Sequence, residues 1–522
     1  MQMLEIYDTT LRDGTQREGL SLTVNDKLEV ARLIDGLGVG YIEGGWPGSN
    51  PKDDEFFARA SEELELENAA LVAFGSTCRP GGDAASDPQL RALLEAGTAV
   101  VCIVGKAWDY HVTEALRVDL DEGERMVADS IALLRAEGRR VFFDAEHFFD
   151  GYRADSSFAL RVLRAAHAAG ADRLVLCDTN GGVLPTEAAA IVAEVAAAMP
   201  DSPLGAHFHN DAGCAVANTL VAVDAGVVQV QGCVNGYGER TGNADLCAVI
   251  PNLVLKMGRE VVSPEQLAAL APIAHHIAEI TNTTIDAHHP YVGSAAFAHK
   301  AGLHTSALRR RPDAYEHIDP ATVGNTTSMV VSELMGRATV LARAKDKGWD
   351  LDAETAGRVV EQVKALEHQG YLFEAADASF ELLVRRATGW RQTFFSVDSF
   401  RISAQRDEDG VDLVEAEVVV SVEDERFVKT DRGDGPVHAL DKALRAALAT
   451  AYPEIEHIRL TDYRVRDLDS SDGTAARVRV LVETSDRTDS WSTVGLNRNI
   501  ITASLEAVEE GIVFGLLRAG RG

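Results

Sequence analysis

Leu204-Gly205-Ala206-His207-Phe208-His209-Asn210-Asp211 is a short apolar run that ends in chemistry. Leu204–Phe208 has strand character. Side chains along a strand alternate between faces, so His207 and His209 point the same way. Two imidazoles on one face at a strand end make half of a divalent-metal site. The plain alternative is two surface histidines, or one in the core and one exposed. The flanking sequence decides between these readings.

The same pattern recurs on both sides. Strand candidates are Leu4–Tyr7, Tyr41–Glu43, Leu71–Phe74, Val100–Val104, Val141–Phe143, Leu174–Leu176 and Val228–Gln231. Amphipathic stretches lie between them, such as Asp26–Leu37, Glu122–Ala136, Ser157–Ala169, Thr186–Ala198 and Cys214–Ala225. About eight strand–helix units over roughly 260 residues match the size and order of a (β/α)8 TIM barrel. A doubly wound sheet rarely needs so many regular units in a row.

Polar and glycine residues gather just past the strand ends. They are Asp8-Thr9-Thr10-Leu11-Arg12-Asp13-Gly14, Glu43-Gly44-Gly45, Asp144-Ala145-Glu146-His147, Asp178-Thr179-Asn180, His207-Phe208-His209 and Asn235-Gly236-Tyr237-Gly238-Glu239-Arg240. Barrel active sites are built from loops at this C-terminal rim.

The alternation stops near residue 260. Pro264–Ile280 predicts a helix, and Ala338–Lys345 and Asp352–Leu366 predict two more. From about Gln392 the pattern turns to strands: Phe394–Ala404, Val411–Val420, Glu425–Thr430, Ile458–Arg466 and Ala476–Thr484. Helices are predicted at Val437–Thr450 and Thr502–Leu516. The expected domains are a barrel over 1–265, a helical linker subdomain over 266–390 and an α+β regulatory or assembly domain over 391–522. The last, at roughly 130 residues, is of ordinary domain size.

Composition narrows the classes. The 522 residues exceed what one core usually holds, and 46% hydrophobic with 25% charged residues is ordinary for a globular chain. A net charge of -31 argues against nucleic-acid binding, which needs clustered Lys and Arg. The six cysteines form no C-x-x-C pair, as expected of a protein in a reducing cytoplasm. Met1 opens a strand-like run without a basic leader, so no secretory signal is expected. No apolar stretch approaches the roughly 18 residues of a membrane span.

Asp13 is a candidate oxygen ligand beside His207 and His209, or a turn cap before Gly14. Asn243 is a fourth ligand, or the N-cap of a helix Ala244–Leu255. One Asp and two His with open positions suit Zn²⁺, Mn²⁺ or Mg²⁺ and a chelating α-keto acid, whose ketone the ion polarises. Arg12 is placed to meet the oxygen anion that develops. Glu146 is a general base, or a buried acid paired with Arg12 for structure. Gly236-Tyr237-Gly238-Glu239-Arg240-Thr241-Gly242 is spaced one residue too long for a dinucleotide fingerprint and closes the series instead of opening it.

These motifs resemble one family. The stretches at 8–14, His207–Asp211 and Asn235–Ala244 are similar to the metal-dependent, Claisen-condensing branch of the barrel metallolyases. That branch holds the 2-isopropylmalate, homocitrate and citramalate synthases. Glu43-Gly44-Gly45-Trp46-Pro47-Gly48-Ser49-Asn50-Pro51 and Asp144-Ala145-Glu146-His147-Phe148-Phe149-Asp150-Gly151 look like the citramalate group. Gly435-Pro436-Val437 and Trp491-Ser492-Thr493-Val494-Gly495 resemble the amino-acid-sensing dimerisation domain of the family.

The resemblance implies condensation of pyruvate with acetyl-CoA and water to (R)-citramalate and CoA, an acyl transfer in isoleucine biosynthesis. It implies Asp13, His207, His209 and Asn243 as metal ligands, with Arg12, Glu146, His304 and Tyr315 as catalytic residues. Thr179, with Arg12, would touch the keto acid. A homodimer is implied, because the linker subdomain of relatives reaches over the partner's barrel, and isoleucine is implied as effector. The competing expectations are a 2-isopropylmalate synthase with a larger keto acid, a lyase running the reverse cleavage, and a non-catalytic amino-acid sensor.

Overall fold

The computed structural model describes residues 4–299, 311–329, 336–346, 349, 351–406, 412–423, 425–468 and 476–521. Its contacts divide the chain into two compact units, Met1–Phe297 with Glu316–Thr327, and Ala298–Tyr315 with Ser328–Gly522.

The first unit contains eight parallel strands: β1 (Glu5–Asp8), β2 (Tyr41–Gly45), β3 (Ala70–Ser76), β4 (Val100–Lys106), β5 (Arg140–Glu146), β6 (Arg173–Asp178), β7 (Leu204–Phe208) and β8 (Gln229–Gly232). Each pairs with the next, and β8 pairs back onto β1 from Glu5↔Gln229 to Asp8↔Gly232, which closes the barrel. The expected (β/α)8 architecture is present. Several strands run further toward the rim than their apolar pattern does. Lys106 and Glu146 still pair in the β4–β5 ladder, because backbone pairing continues under polar side chains.

All-parallel strands are buried on both faces, which is why they read as near-continuous apolar runs. Inside the barrel, Tyr7, Tyr41, Val72, Phe74, Val100, Cys102 and Phe142 fill the lumen. The Tyr41 and Phe142 rings meet edge-on, with centroids 5.0 Å apart. Outside it, residues such as Ile34, Phe56, Leu90, Ile131, Phe158 and Val192 pack the helices onto the strands.

Helix starts follow local chemistry. Thr23 and Asp26 form a reciprocal capping box before Val24–Gly36. Asn50, Asp87 and Asp119 accept backbone N–H bonds at later starts, and Pro51, Pro88 and Pro185 open their helices. Two helices differ from expectation. The one expected from Ser157 begins at Phe148 and bends at Asp155. Tertiary contact holds its first turns: Phe148 and Phe149 are buried, and a Cβ on Gly151 would lie 2.4 Å from the Ala107 carbonyl. The helix expected over Pro264–Ile280 is two, Pro264–Ala268 and Leu270–Ile280. Pro272 has no N–H to give the Ala268 carbonyl, so one ladder bond is missing at the break.

In the second unit the helices Arg337–Asp346, Ala353–Gln369 and Asp377–Ala387 share a small core that includes Val359, Val363, Phe373 and Phe380. Two three-stranded antiparallel sheets follow. One is Ser396–Arg406, Asp412–Val422 and Glu425–Gly433; the other is Arg459–Asp467, Val478–Ser485 and Ser490–Asn497. The helices Pro436–Leu448 and Ile500–Leu516 supply the apolar side of their shared core. The strand Ser490–Asn497 is absent from the sequence expectation. Its inward residues are Trp491, Thr493 and Gly495, so no apolar alternation marks it. Thr493 Oγ1 donates to the Ala507 carbonyl, and a Cβ on Gly495 would lie 1.9 Å from the Ala503 carbonyl. Among the described residues, no helix is long and apolar enough to cross a membrane.

The lumen layer yields a stability test. Phe142→Ala should cost about 3–5 kcal/mol, because ring burial is lost and a cavity is left. Denaturant unfolding followed by circular dichroism reads this as a lower midpoint. An unchanged midpoint would mean that the lumen is not a packed core.

Candidate metal centre and its pocket

The site begins with a turn at the end of β1. Asp8 is fully buried, and its carboxylate accepts bonds from Thr10 N at 2.9 Å and Thr10 Oγ1 at 2.8 Å. Thr10 Oγ1 accepts in turn from Val234 N at 2.9 Å. This pins the following turn to the loop after β8 and sets Arg12 and Asp13 at the barrel mouth.

Asp13 is buried, and its Oδ2 is the meeting point of the site. His207 Nε2 lies 3.3 Å from it and His209 Nε2 lies 3.8 Å away. Asn243 Nδ2 donates to the same oxygen at 2.7 Å. The two imidazole rings share a face as expected, with centroids 5.0 Å apart. Ligand atoms of Asp13, His207 and His209 all lie within 4.8 Å of one another.

Three plain readings are corrected here. Asp13 makes no side-chain cap bond into the short turn Gly14–Gln16. Asn243 caps no helix: the helix is Leu246–Pro251, and Asp245 caps it through Cys247 N. Asn243 instead bridges to His209. Glycines permit this, since Gly242 and Gly238 have φ of 90° and 139°, and a Cβ on Gly242 would lie 1.9 Å from the Gly236 carbonyl. The glycine-rich loop therefore presses an amide onto Asp13. Finally, Glu146 does not pair with Arg12. The Arg12 Nε donates to Glu43 Oε1 at 2.5 Å, because Glu43 stands on the strand adjoining β1. Glu146 pairs with Lys106, its register partner on β4.

Arg12 is held from several sides. Its guanidinium lies 3.8 Å above the Phe74 ring and 3.6 Å from Asp13. Tyr7 donates to the other Glu43 oxygen at 2.6 Å. Burial works against the Arg12 charge, but Glu43 and Asp13 outweigh it and raise its pKa. Burial likewise pushes the Asp13 carboxyl up, but Arg12 and His207 hold it well below the usual carboxylate range. Burial and the neighbouring His207 hold His209 down to about 3, so it is a neutral imidazole with a lone pair to offer.

These atoms open into a cavity of about 390 Å³. Arg12, Asp13, Lys106, Asp144, Glu146, Thr179, His207 and His209 are among its polar residues, and Trp46, Phe74, Val104 and Leu116 among its apolar ones. Thr179 Oγ1 accepts from His147 N at 2.9 Å, which fixes the turn after β5. The structure thus gathers Arg12, Asp13, Glu146, Thr179, His207, His209 and Asn243. His304 lies outside the described residues. Tyr315 is exposed and belongs to the second unit. The sequence pattern places Glu43 and Asp144 at the rim without a role and does not single out Lys106 or Gln231. Each stands at or near the end of a buried strand, which is a weak signal for one residue in isolation.

The residues fit a divalent ion. Asn243 Oδ1 is buried and has no hydrogen-bond partner among the described residues. A carboxylate, two imidazoles and an amide oxygen suit Mn²⁺, Mg²⁺ or Zn²⁺. Glu43, Cys102 and Asp144 form a second buried cluster of ligand-type atoms. Its carboxylates are already engaged, Glu43 by Tyr7 and Arg12, and Asp144 by Gln231 Nε2.

Comparison with known proteins agrees with this architecture. Residues 3–277 match the HMGL-like family model. Residues 291–371 match the homocitrate synthase post-HMGL domain-like model, and 374–515 match the LeuA allosteric (dimerisation) domain. The chain is 54% identical to an (R)-citramalate synthase of Streptomyces coelicolor, over 99% of this chain and 97% of the relative. It is 50% identical to one from Synechocystis, over 98% and 96%. The chain belongs to the citramalate synthase family. A probable 2-isopropylmalate synthase of Methanopyrus kandleri is 31% identical over 98% of this chain and 97% of the relative. In this chain an HMGL-like barrel is thus followed by a post-HMGL segment and a dimerisation-type domain.

Removing both imidazoles tests the centre. His207→Ala combined with His209→Ala should abolish retention of a divalent ion, read by elemental analysis of the purified protein. A stoichiometric ion in the double variant would place the site elsewhere.

Proposed function

We propose that this chain is an (R)-citramalate synthase that joins pyruvate to acetyl-CoA, consumes water and releases CoA, serving isoleucine biosynthesis. The observation that carries this reading is the Asp13–His207–His209 cluster with Arg12 and Glu146 in one cavity, in a chain 54% identical to an (R)-citramalate synthase over nearly its whole length.

Asp13, His207, His209 and Asn243 would hold the ion. When bound, a divalent ion there supplies Lewis-acid polarisation of the keto acid. The chain's own groups do the rest. Thr179 and Arg12 orient pyruvate at the cavity wall. Glu146 takes a methyl proton from acetyl-CoA, the resulting enolate carbon bonds to the pyruvate ketone carbon, and the ketone oxygen, left as an alkoxide, takes up a proton to become the hydroxyl. The Arg12 guanidinium faces the oxygen that gains charge, and Glu43 and Phe74 hold it in place beforehand. Hydrolysis of the thioester then releases CoA and makes the step irreversible. Lys106, beside Glu146, keeps a counter-charge at the base. His304, in Ala301-Gly302-Leu303-His304, is the second candidate for that base, and Tyr315, in Asp313-Ala314-Tyr315-Glu316-His317, is a catalytic candidate by its motif alone.

The match of 374–515 to an allosteric dimerisation domain supports a homodimer, and isoleucine is the effector we propose for it. All six cysteines are free, which supports a cytoplasmic location. The second reading, a 2-isopropylmalate synthase, is favoured by the shared chemistry and by the relative at 31% identity. The two readings share the mechanism and differ in the cavity, where one methylene is worth only about 1–3 kcal/mol.

A panel of α-keto acids with thiol detection of released CoA separates them. Pyruvate should give the highest kcat/KM. A higher value for a branched keto acid would favour the second reading. Glu146→Gln should retain the ion yet lose about 10²–10⁴-fold in kcat, the usual contribution of a general base. Turnover near that of the unaltered enzyme would remove Glu146 from that role. Calorimetric titration with isoleucine tests the effector; no binding and no slowing would leave the domain to assembly.

A further inference from the structure

We infer that Gln231 is a positioning residue for the metal centre: it fixes the His207 ring from behind and leaves Nε2 as the nitrogen that faces Asp13. The inference rests on the ion site proposed above and extends it to a residue outside the ligand set.

The geometry starts from strand register. His207 on β7 and Gln231 on β8 are direct partners in the barrel ladder, so their side chains leave the sheet on the same side. Both are buried, at 5% and 1% exposure. His207 Nδ1 lies 2.9 Å from Gln231 Oε1. The other end of the same amide reaches across the lumen, where Gln231 Nε2 donates to Asp144 Oδ1 on β5 at 3.1 Å. Asp144 is buried too.

This two-ended contact removes an ambiguity. An amide can ordinarily present either its oxygen or its nitrogen. Here Gln231 Nε2 donates to Asp144 Oδ1, which turns Oε1 to His207. An oxygen at that place can only accept, so His207 Nδ1 must carry its hydrogen. When the ring binds an ion the lone pair it offers is therefore that of Nε2, which is 3.3 Å from Asp13 Oδ2. Metal-bound histidines commonly take their tautomer and ring orientation from such a bond behind the ring. The companion ligand lacks one: His209 Nδ1 is buried with no hydrogen-bond partner among the described residues. Orientation of the imidazole pair therefore rests on the Gln231 side.

An apolar residue at 231 would leave the His207 Nδ1–H buried and unmatched, and the ring free to turn its lone pair away from Asp13. A shorter amide could not span from His207 to Asp144. The test uses the full-length, metal-stripped protein titrated with Mn²⁺ by calorimetry, in unaltered form and as Gln231→Met and Gln231→Asn. Both variants should bind Mn²⁺ about 10- to 100-fold more weakly, the usual cost of losing such a partner. Their circular-dichroism spectra should match that of the unaltered protein. A folded variant that binds Mn²⁺ as tightly as the unaltered protein would overturn the inference. So would a fall in melting temperature with no change in affinity, which is what a purely structural role produces.

A second measurement needs no folded variant at 231. In ¹⁵N-histidine-labelled, metal-stripped protein, His207 should show a hydrogen-bonded Nδ1–H signal, assigned by its loss in His207→Gln. An unprotonated Nδ1 would overturn the inference as well. His207→Ala combined with His209→Ala separates the two levels. If that variant still binds Mn²⁺, the ion site itself is misplaced; if it does not and the Gln231 variants do, only the role of Gln231 fails.

Discussion

Charge buried at the mouth of the barrel sets the terms for the rest of the site. Glu43, Asp13 and Asp144 place three carboxyl groups there, and Arg12 is the guanidinium among them. Taking one such charge out of water costs several kcal/mol unless partners compensate it. Arg12 compensates Glu43 directly and Asp13 in part. Burial pushes the Glu43 and Asp144 carboxyls up, toward the neutral acid, which leaves the Asp13 carboxylate facing two imidazoles. A divalent cation suits this place because a carboxylate, two imidazoles and an unpartnered amide oxygen converge there. Strand ends suit such a site, because a rigid ladder keeps Glu43, Asp144 and His207 in fixed places.

The barrel provides that rigidity through its filled lumen. Tyr7, Tyr41 and Phe142 pack under the site, and Tyr7 also donates to Glu43. One layer of rings thus both fills the core and orients the acid that orients Arg12. Register does the remaining work. Neighbouring strands bring Lys106 beside Glu146, and His207 beside Gln231, with no contribution from loops. The loop after β8 is the exception, and its glycines let the Asn243 amide close on Asp13 from above the ladder.

Much of this was legible in the residues. Eight apolar runs at regular spacing place the strands, and alternation along Leu204–His209 puts both imidazoles on one face. Asp13 could be suspected from its place just past β1. Other features were not legible, for physical reasons. Which acid Arg12 chooses depends on strand adjacency, so Glu43 on β2 wins over Glu146 on β5. Gln231 carries no charge and reads as an ordinary strand residue until register sets it beside His207. Asn243 suits a helix cap as well as a ligand, and only the path of the glycine loop separates the two. The strand Ser490–Asn497 hides because a threonine and a glycine occupy inward positions where apolar residues are usual.

The central claim is that one ion is held between Asp13 and the imidazole pair. Anomalous diffraction from crystals soaked in Mn²⁺ tests it most directly. A single peak bounded by Asp13, His207 and His209 is predicted, with the Asn243 oxygen turned toward it. A peak between Glu43, Cys102 and Asp144 instead, or no peak at the barrel mouth, would contradict it.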